Sequence, residues 1–244
     1  MKNIINKDET FKLPRLYINK PLTNKGVIEL ESSQVHYLHN VLRKKDDDYI
    51  RLFNGKDGEW LGSITFLSKK SATVKLEQQL LEQPQNTRRV HLIFTPIKKN
   101  RMDWLIEKAV ELGATDFHPI VTQNTENRKI KEERLKSQIF EAAEQCERLE
   151  IPTLHELNKI DHTLDKWDEN TPILSCIERF DAQDIKDAAQ KNLNGDIAVL
   201  IGPEGGFTSK EKGNIGKKTT AVSLGDTILR CETAVAKALI LINA

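Results

Sequence analysis

Two patterns of apolar positions divide the chain. Residues 15 to 78 contain short segments with the β-branched, aromatic and alternating character of strands, such as "VIEL" and "SITFL". One helical segment interrupts them, "SSQVHYLHNVLRKK", which places Val35, Leu38, Val41 and Leu42 on one face. The turn "NGKDG" predicts a hairpin because Asn, Asp and Gly tolerate positive φ. This part predicts a small β-barrel-like domain.

From Val90 onward, strands alternate with helices. The segments "VHLIFTPI", "DFHPIVT", "PILSCIE", "DIAVLIGP" and "AVSLG" have the character of buried strands. The first helix, "NRMDWLIEKAVELG", is expected to have Asn100 as its N-cap and Gly113 as its C-terminal stop. A second helix is expected to end before Pro152, and "DAQDIKDAAQKN", "TSKEKGNIGKK" and "ETAVAKALILINA" predict three more. This alternation predicts an α/β fold, with a mostly parallel sheet and helices on both faces.

The same patterns suggest where the domains begin and end. We expect a flexible extension over residues 1–12, the β domain over 13–80, a polar linker over 81–89 and the α/β domain over 90–244. The linker assignment follows from the polar, proline-containing run "EQPQNTRR". The chain is therefore expected to have two domains with separate cores.

Composition narrows the class of protein but not its partner. Of the 244 residues, 38% are hydrophobic and 30% charged, and no apolar run is long enough to cross a bilayer. With no apolar signal-peptide core either, we expect a cytoplasmic protein without a membrane partner. The net charge of +1 does not by itself indicate nucleic acid. Cys146, Cys176 and Cys231 are too dispersed for a disulfide framework or a zinc spacing, so no metal is expected. His91 and His118 are interpreted as packed core histidines.

The stretch "LIGPEGGFTSKE", residues 200–211, indicates a ligand loop. Three glycines follow an apolar strand, and ligands of open parallel sheets lie beyond the carboxyl ends of strands, where "SLGDTILR" also falls. Two tight strand-to-helix turns would also explain the pattern. No G-x-G-x-x-G or G-K-[ST] motif is present, and Glu204 would repel a pyrophosphate, so NAD and ATP are disfavoured.

The last helix adds charged residues to this edge of the sheet. Arg230, Glu232 and Thr233 precede an almost wholly apolar run, which we expect to be buried, partly against another subunit. Glu232 and Thr233 could simply cap the helix. An ion pair of Arg230 with Glu232 or Glu204 is a second structural explanation.

Taken together, these segments resemble a known family. "LIGPEGGFTSKE" and "VSLGDTILRCETAVAKALI" closely resemble the RsmE family of ribosomal RNA small-subunit methyltransferases, in the SPOUT superfamily. "KKNRMDWLIEKAVELGATDFHPIVT", "EAAEQCERLEIP" and "HYLHNVLRKKDDDYIRLFNGKDGEW" resemble further family segments. The resemblance implies a PUA-like RNA-binding domain joined to a SPOUT domain with a C-terminal trefoil knot. It also implies a homodimer that uses S-adenosylmethionine to methylate N3 of a uridine in 16S ribosomal RNA, with the assembled 30S subunit as the expected substrate.

The resemblance also assigns roles to residues. Arg230 is the first candidate to stabilise the uracil anion, and Glu204 is a candidate proton acceptor or donor-recognition residue. The residues expected at the cofactor are Ile201, Gly202, Pro203, Glu204, Gly205, Gly206, Leu224, Gly225, Ile228, Leu229, Arg230, Glu232, Thr233 and Ala234. Those expected at RNA are Arg15, His36, His39, Arg43, Lys44, Lys45, Lys98, Lys99, Arg101, Asn127, Arg128, Gln145 and Arg148.

Two other functions stay open at this point. A non-catalytic ribosome-assembly factor could keep the β domain and an empty ligand loop, although the intact "GPEGG" and "LRCETA" segments argue against it. A different α/β enzyme with a nucleotide cofactor is disfavoured because phosphate-binding motifs are missing.

Overall fold

A computed structural model describes residues 10–85, 88–177 and 182–243. These residues form two compact units. The first extends to Gln85 and includes Glu144–Ile151, and the second contains the remaining described residues. The inclusion of Glu144–Ile151 in the first unit was not anticipated from the sequence. Most of the expected N-terminal extension, residues 1–9, lies outside the described residues.

The first unit is built on a five-stranded sheet in the order β1-β3-β4-β5-β2. Strand β1 pairs with β3 in parallel, and the other pairings are antiparallel. The β3–β4 connection contains the predicted hairpin turn, where Gly55 and Gly58 have φ of 80° and 77°. The strands are β1 (Arg15–Tyr17), β2 (Val27–Glu29), β3 (Tyr49–Phe53), β4 (Glu59–Ser68) and β5 (Ser71–Leu81).

The helix of this unit differs from the regular one predicted. Helix α1 covers only Ser32–His36, and a π-helical turn, Tyr37–Val41, continues it. A π turn holds more residues than an α turn and so rotates the side chains that follow. As a result Val35 and Leu38 are buried as predicted, whereas Val41 is 59% exposed instead of lying on the apolar face.

A buried ion-pair network crosses the first unit. The Nε atom of Arg15 lies 2.5 Å from Oε1 of Glu59, and Nη1 of Arg51 lies 3.6 Å from the other oxygen of that carboxylate. Arg51 also bonds Glu147 at 2.7 Å. Since the Arg15 side chain is only 3% exposed, it has no free face for a phosphate, and its predicted role at RNA is not supported. Its position is structural instead.

The second unit contains the predicted parallel sheet, in the order β11-β13-β10-β12-β6-β7-β8, with β9 also paired to β7. Every pairing in it is parallel. The strands are β6 (Val90–Phe94), β7 (Asp116–Val121), β8 (Thr153–Leu154), β9 (Asn158–Lys159), β10 (Ile173–Cys176), β11 (Gln183–Asp184), β12 (Ile197–Ile201) and β13 (Thr220–Ser223).

Helices cover both faces of this sheet. The helices are α2 (Lys99–Glu111), α3 (Glu132–Gln145), α4 (Ile160–Asp165), α5 (Ile185–Gln190), α6 (Ser209–Lys218) and α7 (Cys231–Ile242). Ile93, Ala198 and Leu200 face a core that α4 and α6 complete, while α7 packs on α2, α5 and β12. Because strand side chains alternate between the two faces, we assign α4 and α6 to one face of the sheet and α2, α5 and α7 to the other.

Several helix ends differ from the sequence prediction. Lys98, not Asn100, is the N-cap of α2, whereas Gly113 follows its last turn with φ of 94°, as a C-terminal stop requires. Helix α3 ends at Gln145, well before Pro152. Strands β8 and β9 and helix α4 come from a segment with no clear sequence pattern. Within the described ranges, no helix is long and apolar enough to span a membrane.

Candidate functional site

Two loops at the carboxyl ends of strands form the candidate site. The loop after β12 carries "GPEGG", and the loop after β13 carries "LGDTILR" before α7 begins. The two strands are not neighbours, because β10 lies between them. The loops nevertheless meet, since the thiol of Cys231 donates to the carbonyl oxygen of Gly202 at 3.2 Å.

Glycines in these loops meet two different requirements. Gly206 has φ of 66° and Gly225 has φ of 106°, conformations in which a side chain would be strained. Gly202 instead allows close packing, because a Cβ there would lie 2.6 Å from the ring of Phe207. A Cβ added at Gly206 would have no atom within 4 Å, so the loop has open space on that side.

A third segment, after β7, holds the "GPEGG" loop in place. The side-chain amide of Asn124 donates to the carbonyl oxygens of Gly205 and Gly206 at 3.1 and 3.0 Å. Glu211 accepts from the backbone of Gln123 at 2.8 Å and also closes the capping box of α6 with Thr208. The hydrogen bonds of Asn124 and Gln123 to this loop and to Glu211 were not predicted from the sequence, because they join segments 81 to 88 residues apart.

Arg101 links the two loops electrostatically. Its Nη1 lies 3.6 Å from Oε1 of Glu204, and its Nε lies 3.7 Å from Oε1 of Glu232. These are ion-pair distances rather than hydrogen bonds. The sequence suggested Arg230 as the partner of these carboxylates and Arg101 as an RNA contact, so the structure gives the pairing role to a different arginine.

Two buried polar atoms at this edge of the sheet have no hydrogen-bond partner in the described part of the chain. They are Oε2 of Glu232 and Oγ1 of Thr95. Thr95 follows Phe94, whose register partner is Ile201, so it lies beside the start of the "GPEGG" loop. An unsatisfied buried polar atom costs about 1–3 kcal/mol. Such atoms are expected where a ligand supplies the missing partner.

Arg230 is the N-cap of α7, makes no side-chain capping bond and is exposed. Among the described residues it forms no ion pair. Glu232 lies in the first turn with its side chain 12% exposed, and Thr233 is exposed without a capping bond. In the described part of the chain, capping hydrogen bonds therefore do not account for these residues, and the side chain of Arg230 is open to solvent.

The other predicted cofactor residues vary in exposure. Ile201, Pro203 and Ala234 are buried, Leu224 and Leu229 are half-buried, and Ile228 is 59% exposed. On the helix that follows, Ile240 of α7 is 52% exposed in the single chain. Its burial against another subunit stays a prediction.

The residues predicted at RNA are mostly on the surface. Arg148, like Arg15, is not: its side chain pairs with Glu150 at 3.0 Å and is 15% exposed. Lys44 is half-buried. The exposed ones are His36, His39, Arg43, Lys45, Lys98, Lys99, Asn127, Arg128 and Gln145.

Comparison with known families agrees with this fold. A model described as "RNA methyltransferase domain" matches residues 83–243, and one described as "RNA methyltransferase PUA domain" matches residues 30–77. The fold and site thus define an RNA methyltransferase with a PUA domain. Ribosomal RNA small subunit methyltransferase E of Rickettsia conorii is 37% identical, covering 91% of this chain and 92% of that protein. The Synechocystis sp. protein of the same name is 32% identical over 94% and 77%. The chain belongs to the ribosomal RNA small subunit methyltransferase E family.

Solved structures of similar proteins include bound cofactor. The ribosomal RNA small subunit methyltransferase E of Neisseria gonorrhoeae, bound to S-adenosylmethionine, has a TM-score of 0.83 and 30% identity, covering 93% of this chain and 95% of that one. A Legionella pneumophila protein, also in complex with S-adenosylmethionine, has a TM-score of 0.85 and 27% identity, covering 94% of this chain and 96% of that one.

Proposed function

We propose that the protein transfers a methyl group from S-adenosylmethionine to N3 of one uridine in 16S ribosomal RNA, acting on the assembled 30S subunit in the cytoplasm. Family membership and the donor-bound relatives support the reaction class. The observation in this chain that carries the proposal is a pair of unpartnered buried atoms, one on Glu232 in the first turn of α7 and one on Thr95 just after β6.

The residues at this edge suit the methyl donor. S-adenosylmethionine has an ammonium group and ribose hydroxyls, which can donate to the free carboxylate oxygen of Glu232 and bond the hydroxyl of Thr95. The open space at Gly206 leaves room beside the loop backbone. We assign donor binding to the loop residues predicted from the sequence, with Thr95 added. When bound, the donor supplies a methyl group on a sulfonium, and the protein has to orient it.

The residues at the target have a different task. Uracil N3 is a weakly acidic imide and has to lose its proton before it can attack a methyl group. The exposed guanidinium of Arg230 can stabilise the negative charge that develops on O2 or O4. Glu204, which is half-exposed and 3.6 Å from Arg101, is the proposed proton acceptor.

RNA binding is proposed for exposed basic and polar groups of both units. In the first unit, His36, His39, Arg43 and Lys45 lie at or near the π-helical turn and are all exposed. π-helical turns are frequent at functional sites. Contacts from such groups to phosphates would make binding sensitive to salt.

A homodimer and a trefoil knot are the remaining parts of the proposal. Ile240 near the end of helix α7 is 52% exposed, and Trp104 of helix α2, which packs on α7, is 40% exposed. Exposed apolar residues on adjoining helices are typical of a surface that a partner covers. We propose a second copy of the chain as that partner, with the knot formed where the two ligand loops meet.

The modification can be tested in cells. N3-methyluridine cannot form a Watson–Crick pair, so reverse transcription of 16S ribosomal RNA stops at the modified position. We expect one stop that is present in cells with the intact gene, lost in a deletion strain, and restored by the wild-type chain but not by Arg230→Ala. A deletion strain that keeps every stop would contradict the proposal.

A further inference from the structure

A cluster of three imidazoles and one carboxylate lies at the opposite end of the parallel strands from the ligand loops. His91 is the second residue of β6, and its register partner is Asp116, the first residue of β7. His118 points to the same face as Asp116, because strand side chains alternate. His155 follows β8 and bonds the backbone of Phe117. The cluster has no part in the proposed methyl transfer.

The atoms of the cluster are spaced as metal ligands are. Nδ1 of His91 lies 3.1 Å from Nε2 of His118 and 3.6 Å from Oδ2 of Asp116. One ligand atom from each of these three residues lies within 4.8 Å of the others. In a tetrahedral zinc site with bonds of about 2.0–2.1 Å, neighbouring ligand atoms are about 3.3 Å apart. A small inward adjustment would therefore place all three around one ion.

A second set of residues holds the carboxylate in position. Nε2 of His155 lies 2.9 Å from Oδ1 of Asp116, and the hydroxyl of Thr115 donates to Oδ2 of the same carboxylate at 2.8 Å. The His155 ring also stacks on His118, with ring centroids 3.9 Å apart. Hydrogen bonds of this kind orient the ligands in metal sites and account for much of the affinity.

Solvent can reach the cluster, since the His91 and His155 side chains are 17% and 41% exposed.

We propose that His91, Asp116 and His118 bind a divalent transition-metal ion, zinc in the first place, at the amino-terminal edge of the sheet. The nitrogen–nitrogen–oxygen set with one position left for water suits zinc, cobalt or nickel better than magnesium or calcium, which prefer oxygen ligands. The ion would join β6 to β7 and stabilise the fold. Along the strands, His91 and Asp116 lie level with Ala198, about 13 Å before the "GPEGG" loop, and His118 lies level with Leu200, about 7 Å before it.

One residue competes with the ion. Arg89 contacts Oδ2 of Asp116 at 2.7 Å, and its side chain is 34% exposed. Because the guanidinium already neutralises the carboxylate, the affinity should be lower than at a zinc site made of thiolates. Removing this charge should strengthen metal binding, which a cluster with only a packing role would not show.

The test is a titration of tag-free, chelator-treated full-length protein with Co²⁺ and then Zn²⁺. Trp167 provides a local signal, because its ring lies 5.4 Å from His91 and 5.1 Å from His118, and Co²⁺ nearby should quench its fluorescence. We expect one saturable site with visible Co²⁺ absorption, displacement by Zn²⁺, and a raised thermal midpoint with Zn²⁺. The variant Trp167→Phe should lose the quench and keep the absorption.

Matched variants assign the site. His118→Asn and His91→Asn should each weaken binding by at least about 100-fold, and His155→Gln by about 10-fold, as loss of an outer partner typically does. Arg89→Gln should bind more tightly than the wild type. His162→Asn, which changes an exposed histidine on α4, is the control and should bind normally.

Two results would overturn the proposal. One is a wild-type protein that shows no saturable binding of either ion with a dissociation constant below about 0.1 mM, which corresponds to a binding free energy of roughly −5.5 kcal/mol. The other is a folded His91→Asn or His118→Asn variant that binds like the wild type, since the ion would then lie elsewhere. Circular dichroism establishes folding for each variant, and the wild-type titration remains decisive if either variant does not fold.

Discussion

Glu232 offers the sharpest test of the donor site. Glu232→Gln removes a charge and keeps the shape of the side chain. In the free protein the carboxylate gains little from its surroundings, because Oε1 is 3.7 Å from a half-exposed Arg101 and Oε2 has no partner in the described residues. An ion pair of this kind contributes about 0–1 kcal/mol. The free energy of unfolding without donor should therefore change by less than about 1 kcal/mol.

Donor binding should respond differently. If Oε2 of Glu232 accepts a hydrogen bond from the ammonium or a ribose hydroxyl, losing that bond to a charged group costs about 1.5–3 kcal/mol. The dissociation constant for S-adenosylmethionine should then rise by about 10- to 150-fold. A change of this size is well resolved by titration calorimetry.

Thermal unfolding gives an independent measure. At a donor concentration of about 100 times the wild-type dissociation constant, binding stabilises the wild type by about 2.7 kcal/mol. A variant with about tenfold weaker binding gains about 1.4 kcal/mol at the same concentration. Glu141→Gln, at an exposed position on α3, is the control and should match the wild type. Unchanged donor affinity with lower stability in Glu232→Gln would refute the reasoning and make Glu232 a structural residue.

Three further changes address other parts of the site. Arg230→Ala should leave donor affinity within about twofold and reduce methyl transfer by at least about 100-fold, as loss of a charge-stabilising donor does; a parallel loss of donor affinity in calorimetry would assign Arg230 to the donor instead. Asn124→Ala removes two hydrogen bonds to the "GPEGG" loop and should weaken donor binding by about tenfold, with each bond worth about 0.5–1.5 kcal/mol; unchanged affinity would show that the loop holds its shape without them. Ile240→Asp should shift the protein from dimer to monomer in light scattering, because a charge replaces an exposed apolar side chain on α7, and a wild type that is already monomeric would contradict the proposed dimer.

The strands and long helices could be predicted because their apolar periodicity is a local property of the sequence. Val90–Phe94 and Ile197–Ile201 are examples, and the loop after the second strand was recognisable from its glycines. The π-helical turn was not predictable, since the pattern through Leu38 fits a regular helix and only the exposure of Val41 reveals the rotation.

Long-range pairing accounts for most of what the sequence did not show. Arg101 was noticed only as a basic residue near a helix start, because its two carboxylate partners lie more than 100 residues away along the chain. Arg15 looked like surface charge for a similar reason: nothing near it in the sequence indicates the buried Glu59. The register of β6 and β7 likewise brings together His91 and His118, which from the sequence alone are interpreted as packed core histidines.

The most direct test of the central claim is methyl transfer in vitro. Purified protein and labelled S-adenosylmethionine are incubated with 30S subunits from a deletion strain, and with protein-free 16S ribosomal RNA from the same cells. Nucleosides are then identified by mass spectrometry. We expect label in N3-methyluridine at one position, with assembled subunits modified more efficiently than free RNA. Donor binding without any label in RNA, or label in a different nucleoside, would contradict the account.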